Sequence, residues 1–335
     1  MRAYEITKFG LDELKVAERP ESRAGFGQIV VKVRAVSLNF RDLMVVKGQY
    51  NPKLKTPMVP CSDAAGEVIA VGEGVTRVKI GDRVCGIFMQ GWLAGEVNEG
   101  VARTAMGGAI DGVLAESVVL NQEGVVPIPE HLSFEEAATL PCAAVTAWHA
   151  LVTRGQIKAG DTVLTLGTGG VSTFALQFAV ASGARVIATS SSDEKLARTR
   201  SMGAWEGINY RTTSDWEDRV RKLTGAGADH VVEVGGAGTL MKSLRAVRMG
   251  GTVSVIGALS GGGNEVSPVP ALMKTIRMQG VYVGSREIFE AMNRAIAAHR
   301  IKPVVDRVFP FEEAREAMHY MESGAHFGKV VISCQ

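Results

Sequence analysis

Cysteine is scarce in this chain and badly spaced for chemistry that needs it in groups. Cys61, Cys85, Cys142 and Cys334 contain no C-x-x-C pair, which excludes a disulfide framework and a self-contained zinc knuckle. An excess of one charge is also lacking. The 37 Lys and Arg against 35 Asp and Glu leave a formal net charge of +2 without basic blocks, so nucleic acid is not an expected partner. No apolar run approaches the roughly 20 residues of a membrane helix. Met1 to Lys8 has no uninterrupted apolar core of a leader peptide, and the expected location is the cytoplasm. Internal repeats and low-complexity segments are missing too. What remains, 335 residues at 46% hydrophobic and 21% charged, describes a globular chain with ample core and room for two domains.

Glycine, by contrast, is abundant at 39 residues and clusters at segment ends. One cluster organises the rest. The apolar run Val163 to Leu166 reads as a buried strand and empties into Gly167-Thr168-Gly169-Gly170, after which Val171 leads into a helical pattern through Phe174, Leu176 and Phe178. Strand, glycine turn and helix in that order form the dinucleotide fingerprint. Gly167 permits the tight turn, and Gly169 removes a Cβ where backbone must approach a pyrophosphate. The helix N-terminus then offers unpaired N–H groups to the anion. The third glycine position holds Ser172, which predicts slightly looser packing of helix on strand. Taken alone, the turn is equally consistent with a plain tight turn.

Residues 1–127 read as mostly strand, with β-branched runs at 29–36, 67–71, 83–88 and 113–120 and a short helix over 39–47. Between them, 89–112 is glycine-rich and aperiodic, which predicts a long surface lobe. After Pro127 the pattern changes. Ser133 and Glu136 make a capping box that opens a helical region, broken at Pro141 and ending near Val152. Strands at 162–166, 185–189, 229–234 and 252–256 alternate with helices at 171–182, 193–202, 215–223 and 239–247, with a last strand at 281–283. That alternation predicts right-handed βαβ units and a parallel sheet. The remaining helix, strand, helix and strand, from Ser285 to Ser333, are not needed by that sheet and are expected to pack back on the first domain.

With these pieces placed, the chain resembles the medium-chain dehydrogenase/reductase superfamily from near residue 28 to 329. The residues that carry the resemblance are Asn39-Phe40-Arg41-Asp42 with Gly48 and Tyr50, the run Pro60 to Gly66, and Val71 to Gly74. Gly81-Asp82-Arg83-Val84, Ala138 to Pro141, Thr146-Ala147, Gly167 to Val171 and Ile208-Asn209-Tyr210 continue it in family order. The resemblance implies an α/β protein: a GroES-like, mostly-β catalytic domain (1–127), a Rossmann doubly wound parallel-sheet cofactor domain (128–284), and a C-terminal return to the first domain (285–335). It also implies a homodimer, with the sixth strands near 277–283 pairing across a two-fold axis and so covering a sheet edge.

Departures narrow what the resemblance implies. Zinc alcohol dehydrogenases hold their catalytic metal with Cys, His and Cys; the matching positions here are Asn39, Ser62 and Cys142, and the four-cysteine structural zinc loop is missing. The chain is therefore similar to the zinc-independent branch of quinone oxidoreductases and enone reductases, with no metal ligands expected. Without a metal, hydrogen-bond donors must stabilise charge on the acceptor. Asn39 is the expected donor, Tyr50 a candidate proton donor alongside water, and Asp42 an orienting group or a helix-surface charge. Ser62 and Asp63 line the cleft or shape the turn, Arg41 and Lys47 read as solvated, Cys142 as a small buried residue, and His149 as a satisfied core histidine.

For the cofactor, Thr146 is expected by resemblance to contact the nicotinamide carboxamide, and Gly235 and Gly257 end strands whose carboxyl ends face ligand in such sheets, or are plain turn glycines. The acid that NAD-selective sites place on the ribose is absent from Ser190-Ser191-Ser192, so NADP is expected over NAD. Ser190, Ser191 and Lys195 would receive its 2′-phosphate, and Lys195 and Tyr210 match the phosphate-contacting positions of NADPH-dependent quinone oxidoreductases; Arg211 is a further candidate. The expected activity is hydride transfer between NADP(H) and a quinone, an enone or another small carbonyl or alcohol. The alternative is a catalytically weak NADPH-binding sensor or structural protein.

Overall fold

A computed structural model describes residues 1–257 and 266–334. The chain divides into two compact units, Met1–Val145 with Val283–Gln335, and Thr146–Tyr282. The division falls at 145/146 rather than at the composition change near 127. Phe134–Ala138, capped by Ser133 and Glu136, packs on the strands of the first unit and buries Ala137 and Ala138 there.

The first unit is built on a sheet whose spine is Gln28–Ser37. This strand pairs antiparallel with Asp63–Val71 on one side and with both Lys329–Ser333 and Ser117–Asn121 on the other. Arg83–Gly86 and Val125–Pro127 extend the sheet beyond Asp63–Val71, and Val305–Pro310 completes it beside Lys329–Ser333. The last strands of the chain are thus structural members of the N-terminal half. A hairpin of Arg2–Ile6 and Leu14–Glu18, not anticipated from the sequence, covers one flank. The 89–112 segment is less of a surface lobe than its composition suggests: Met89, Trp92, Ala105 and Met106 are core residues, while 94–100 and 109–111 are exposed.

The second unit is a six-stranded, all-parallel sheet. In chain order its strands are Thr162–Thr165, Arg185–Ser190, Glu206–Asn209, Ala228–Glu233, Val247–Val255 and Arg277–Gly280, and their spatial order is 3-2-1-4-5-6. This is the doubly wound order, with its switch point between the first and fourth strands. Two strands differ from expectation. Glu206–Asn209 was not anticipated because it is short and carries only one apolar side chain inward, Ile208. The sixth strand is Arg277–Gly280 rather than 281–283: Val283 adopts φ +55°, a left-handed turn that takes the chain out of the sheet.

Candidate functional site

In the first unit the spine strand ends at Ser37, and Asn39 turns the chain into the helix Phe40–Val46. Asn39 keeps extended backbone as the N-cap, and its N–H donates to Asp42 Oδ2 at 2.8 Å, the reach-back half of a capping box. That bond draws Asp42 under the corner, fully buried, instead of onto a helix surface. Across from it lies Asp63, also fully buried, delivered by Cys61, whose φ of +68° is strained for a side-chain-bearing residue. The 107–113 segment holds Cys61 there: Val113 N–H donates to its carbonyl at 3.0 Å, and a Cβ on Gly112 would sit 2.1 Å from the same oxygen. Asp63 Oδ1 accepts from Ser62 Oγ at 2.6 Å and Oδ2 from the Cys142 N–H at 2.9 Å, a donor turned out of the helical run near Pro141.

Two cations complete the cluster. Arg41, expected in solvent, is largely buried: its guanidinium donates to the Met106 carbonyl at 2.8 Å and lies between the rings of Tyr50 (4.9 Å) and Phe88 (4.8 Å). The stacking explains a half-exposed Tyr50 beside an enclosed arginine. Lys329, from the last strand, is 3% exposed and donates to the Leu38 carbonyl and to Asn39 Oδ1, both at 2.5 Å. Asn39 Nδ2 leans toward Asp63 but reaches no acceptor at hydrogen-bond geometry, and it is buried.

The electrostatics follow from burial. Desolvation pushes Asp42 up to about 6, with Arg41 the largest opposing influence. Asp63 is raised for the same reason and restrained first by Lys329, then by its Ser62 hydrogen bond. The Cys142 thiol is crowded enough that desolvation, and next the Asp63 carboxylate, push its pKa well up, away from a thiolate. His149 is buried and accepts from Arg154 Nε at 3.3 Å, a core histidine.

In the second unit the first strand leads through Leu166 into Gly167, whose φ of +71° only glycine adopts readily. Gly169 caps the helix Gly170–Ala181, and a Cβ there would enter open space. Thr168 is buried, Val171 is half-buried, and Thr173 ties the turn by donating to the Gly169 and Gly170 carbonyls. Ser172 does not loosen the junction. Its hydroxyl donates to the Leu166 carbonyl at 2.7 Å and fastens helix to strand.

A pocket of about 350 Å³ opens at the carboxyl ends of the strands, around the switch point. Of the expected residues it brings together Gly167, Tyr210 and Gly235, and it adds Thr189, Trp216, Thr239 and Lys242. Ser190 ends the second strand and receives the Tyr210 N–H at 3.0 Å, while Ser191 is half-exposed. Lys195 lies in the first turn of Asp193–Ser201, where its N–H donates to the Ser192 hydroxyl at 3.2 Å. Asp193 begins that helix, and its carboxylate accepts from Asn209 Nδ2 at 2.8 Å. Arg211 is exposed beyond the third strand. Thr146, at the start of this unit, is buried.

Gly235 and Gly257 have packing reasons to be glycine: Cβ atoms there would meet Thr239 Oγ1 at 2.3 Å and the Val234 carbonyl at 2.4 Å. The residue that shapes this turn is Glu233, which escaped sequence reasoning. Fully buried at the end of the fourth strand, it accepts from the N–H groups of Gly235 and Gly236, Thr239 Oγ1 and Ser243 Oγ. Lys329 was missed too, although a charge leading the apolar Val330-Val331-Ile332 is a visible signal.

Residues 25–130 match the family model of the alcohol dehydrogenase GroES-like domain, and residues 170–298 that of zinc-binding dehydrogenases. A zinc-type alcohol dehydrogenase-like protein of Schizosaccharomyces pombe is 44% identical over 331 residues, 96% of each chain. Among solved structures, an NAD-dependent alcohol dehydrogenase is 35% identical, with a TM-score of 0.91 over 99% of both chains. Escherichia coli quinone oxidoreductase complexed with NADPH is 26% identical, with a TM-score of 0.85 over 99% of this chain and 100% of its own. Both domain models in order, and a relative this similar from end to end, make the chain a member of the medium-chain dehydrogenase/reductase superfamily and an oxidoreductase of that family.

Proposed function

We propose that the protein is a zinc-independent, NADP(H)-dependent oxidoreductase that passes hydride between the nicotinamide and a quinone, an enone or another small carbonyl or alcohol. The observation that carries this reading is the buried, unpartnered Nδ2 of Asn39. A buried donor without an acceptor is costly, and a substrate oxygen is the acceptor that would satisfy it.

The polar centre does not fit a zinc ion. Asn39 Oδ1 already receives an ammonium and Ser62 Oγ donates to Asp63, which leaves Cys142 as a single thiol where a zinc site needs three protein ligands. Among the described residues no three His, Cys, Asp or Glu side chains are grouped to share a metal. Acceptors that take hydride without strong polarisation, such as quinones and conjugated carbonyls, suit such a site. A bound nicotinamide supplies the hydride. The Asn39 N–H groups stabilise the charge that arrives on the acceptor oxygen. Tyr50, held over Arg41, or water returns the proton.

The glycine turn fits a dinucleotide, with open space where a Gly169 side chain would project and helix N–H groups behind it. Solved relatives include an NAD-dependent enzyme and an NADPH complex, so the choice rests on this chain's own residues. The ribose acid is absent and Asp193 is engaged by Asn209, and this reading assigns the 2′-phosphate to Ser191, Lys195 and Tyr210, the last of which lines the pocket. A homodimer is supported by the edge position of Arg277–Gly280 beside the exposed Leu272, Met273 and Met278.

The test is a steady-state assay of NADPH and NADH oxidation over a panel of quinones, enones and aldehydes, with Lys195→Ala alongside. Turnover favouring NADPH, with the variant losing NADPH much more than NADH, is expected. Tight NADPH binding without turnover of any acceptor would overturn the activity, and equal losses for both cofactors would overturn the phosphate role.

A further inference from the structure

Lys329 stands 290 residues from the side chain it touches. It opens the final strand, which pairs with the spine strand that leads to Asn39, so the register of that pairing sets the reach of its side chain. Its ammonium is buried and bonded to Leu38 O and Asn39 Oδ1. An ammonium has only hydrogens to offer. The Asn39 amide can therefore meet it in one orientation, oxygen toward Lys329, and the NH2 is the face left over. That face is the one found buried and unpartnered. Neutrality points the same way: Asp42 and Asp63 are two enclosed carboxylates, and Arg41 and Lys329 are the two enclosed cations beside them. Removing either cation would strand a buried charge.

We propose that Lys329 is a positioning residue for hydride transfer, a fixed internal cation that aims the Asn39 amide and polarises it. This rests on Asn39 being the donor to the acceptor oxygen. As hydride adds to the acceptor carbon, the π electron pair moves onto that oxygen, and Asn39 Nδ2–H meets the growing charge. An ammonium on Oδ1 draws density from the amide and makes those N–H groups stronger donors, an effect enlarged by the low local dielectric. Lys329 itself touches no substrate in this scheme.

The experiment is a double-mutant cycle in the full-length protein with Lys329→Met and Asn39→Ala, assayed with NADPH and the best acceptor of the panel. Each single variant is expected to lose kcat on the order of 10²-fold, the size typical of one lost oxyanion donor. KM for NADPH should stay within about twofold, and the double variant should be no slower than the slower single, the signature of two groups acting as one. Independent losses that multiply would overturn the proposal. Asp63→Asn added to Lys329→Met keeps the buried charge neutral if the single variant fails to fold. A second readout needs no turnover. With 15N-asparagine labelling, the Asn39 NH2 pair, identified by its loss in Asn39→Ala, should shift or merge in Lys329→Met. An unchanged pair overturns the proposal, whereas absence of turnover in the wild type counts against the proposed activity alone.

Discussion

Asp42 shows how a residue's neighbours decide its chemistry. Its ordinary value of 3.8 is raised to about 6 by burial, with the Arg41 charge opposing. Between those values the native carboxyl holds a proton that the unfolded chain has released, so this group makes stability fall as pH rises through that window and level off above it. Asp42→Asn keeps an acceptor for the Asn39 N–H and removes the titration. Urea unfolding at pH 4, 5, 6 and 7 should give the variant a slope less negative than the wild type's by up to about 1.4 kcal/mol per pH unit; superimposable slopes would contradict the assignment. Asn39, Asp42 and Tyr50 could be found from sequence because they lie within twelve residues of one another in a local motif. Arg41 and Lys329 could not be placed that way. Each reads as a surface cation until the rings of Tyr50 and Phe88, or the Asn39 amide, are brought to it from elsewhere.

Among elements, the turn from Leu166 to Ser172 separates what folding needs from what binding needs. Gly167 is required by its φ of +71°, so Gly167→Ala should cost about 1–2 kcal/mol for left-handed backbone. At Gly169 a Cβ meets nothing. Gly169→Ala should therefore fold with a Tm within about 1 °C of wild type, less than 1 kcal/mol for a protein this size. It should also weaken NADPH about tenfold or more by fluorescence titration, a loss of about 1.4 kcal/mol. A large Tm loss with unchanged affinity would reverse that assignment. The parallel sheet was readable because its strands are apolar runs spaced by helices. Glu206–Asn209 escaped and the sixth strand, Arg277–Gly280, was placed only near 277–283, because neither is an apolar run and each takes its place through pairing with Arg185–Ser190 or Val247–Val255. The return of the last strands to the first unit was visible as elements the parallel sheet did not need, and the family resemblance implied it.

For the molecule as a whole, one edge of the parallel sheet ends in an exposed apolar band. Leu272 and Met273, just before the edge strand in sequence, are 75% and 70% exposed, and the proposed dimer would cover them. Sedimentation velocity should give the wild type twice its chain mass of 35.6 kDa, and Leu272→Asp with Met273→Asp should release monomers. A monomeric wild type, or a variant that stays dimeric, would contradict this. Among the described residues no helix is long and apolar enough to cross a membrane.

The proposed chemistry uses the Asn39 amide and the internal Lys329 cation and needs no metal. Its most direct test is one preparation divided in two, one half dialysed against a strong chelator, with zinc content and NADPH-dependent turnover of a quinone or enone measured on both. Equal turnover in both halves, at zinc far below one ion per chain, is the predicted result. Activity that disappears with the zinc and returns on its addition would contradict the account.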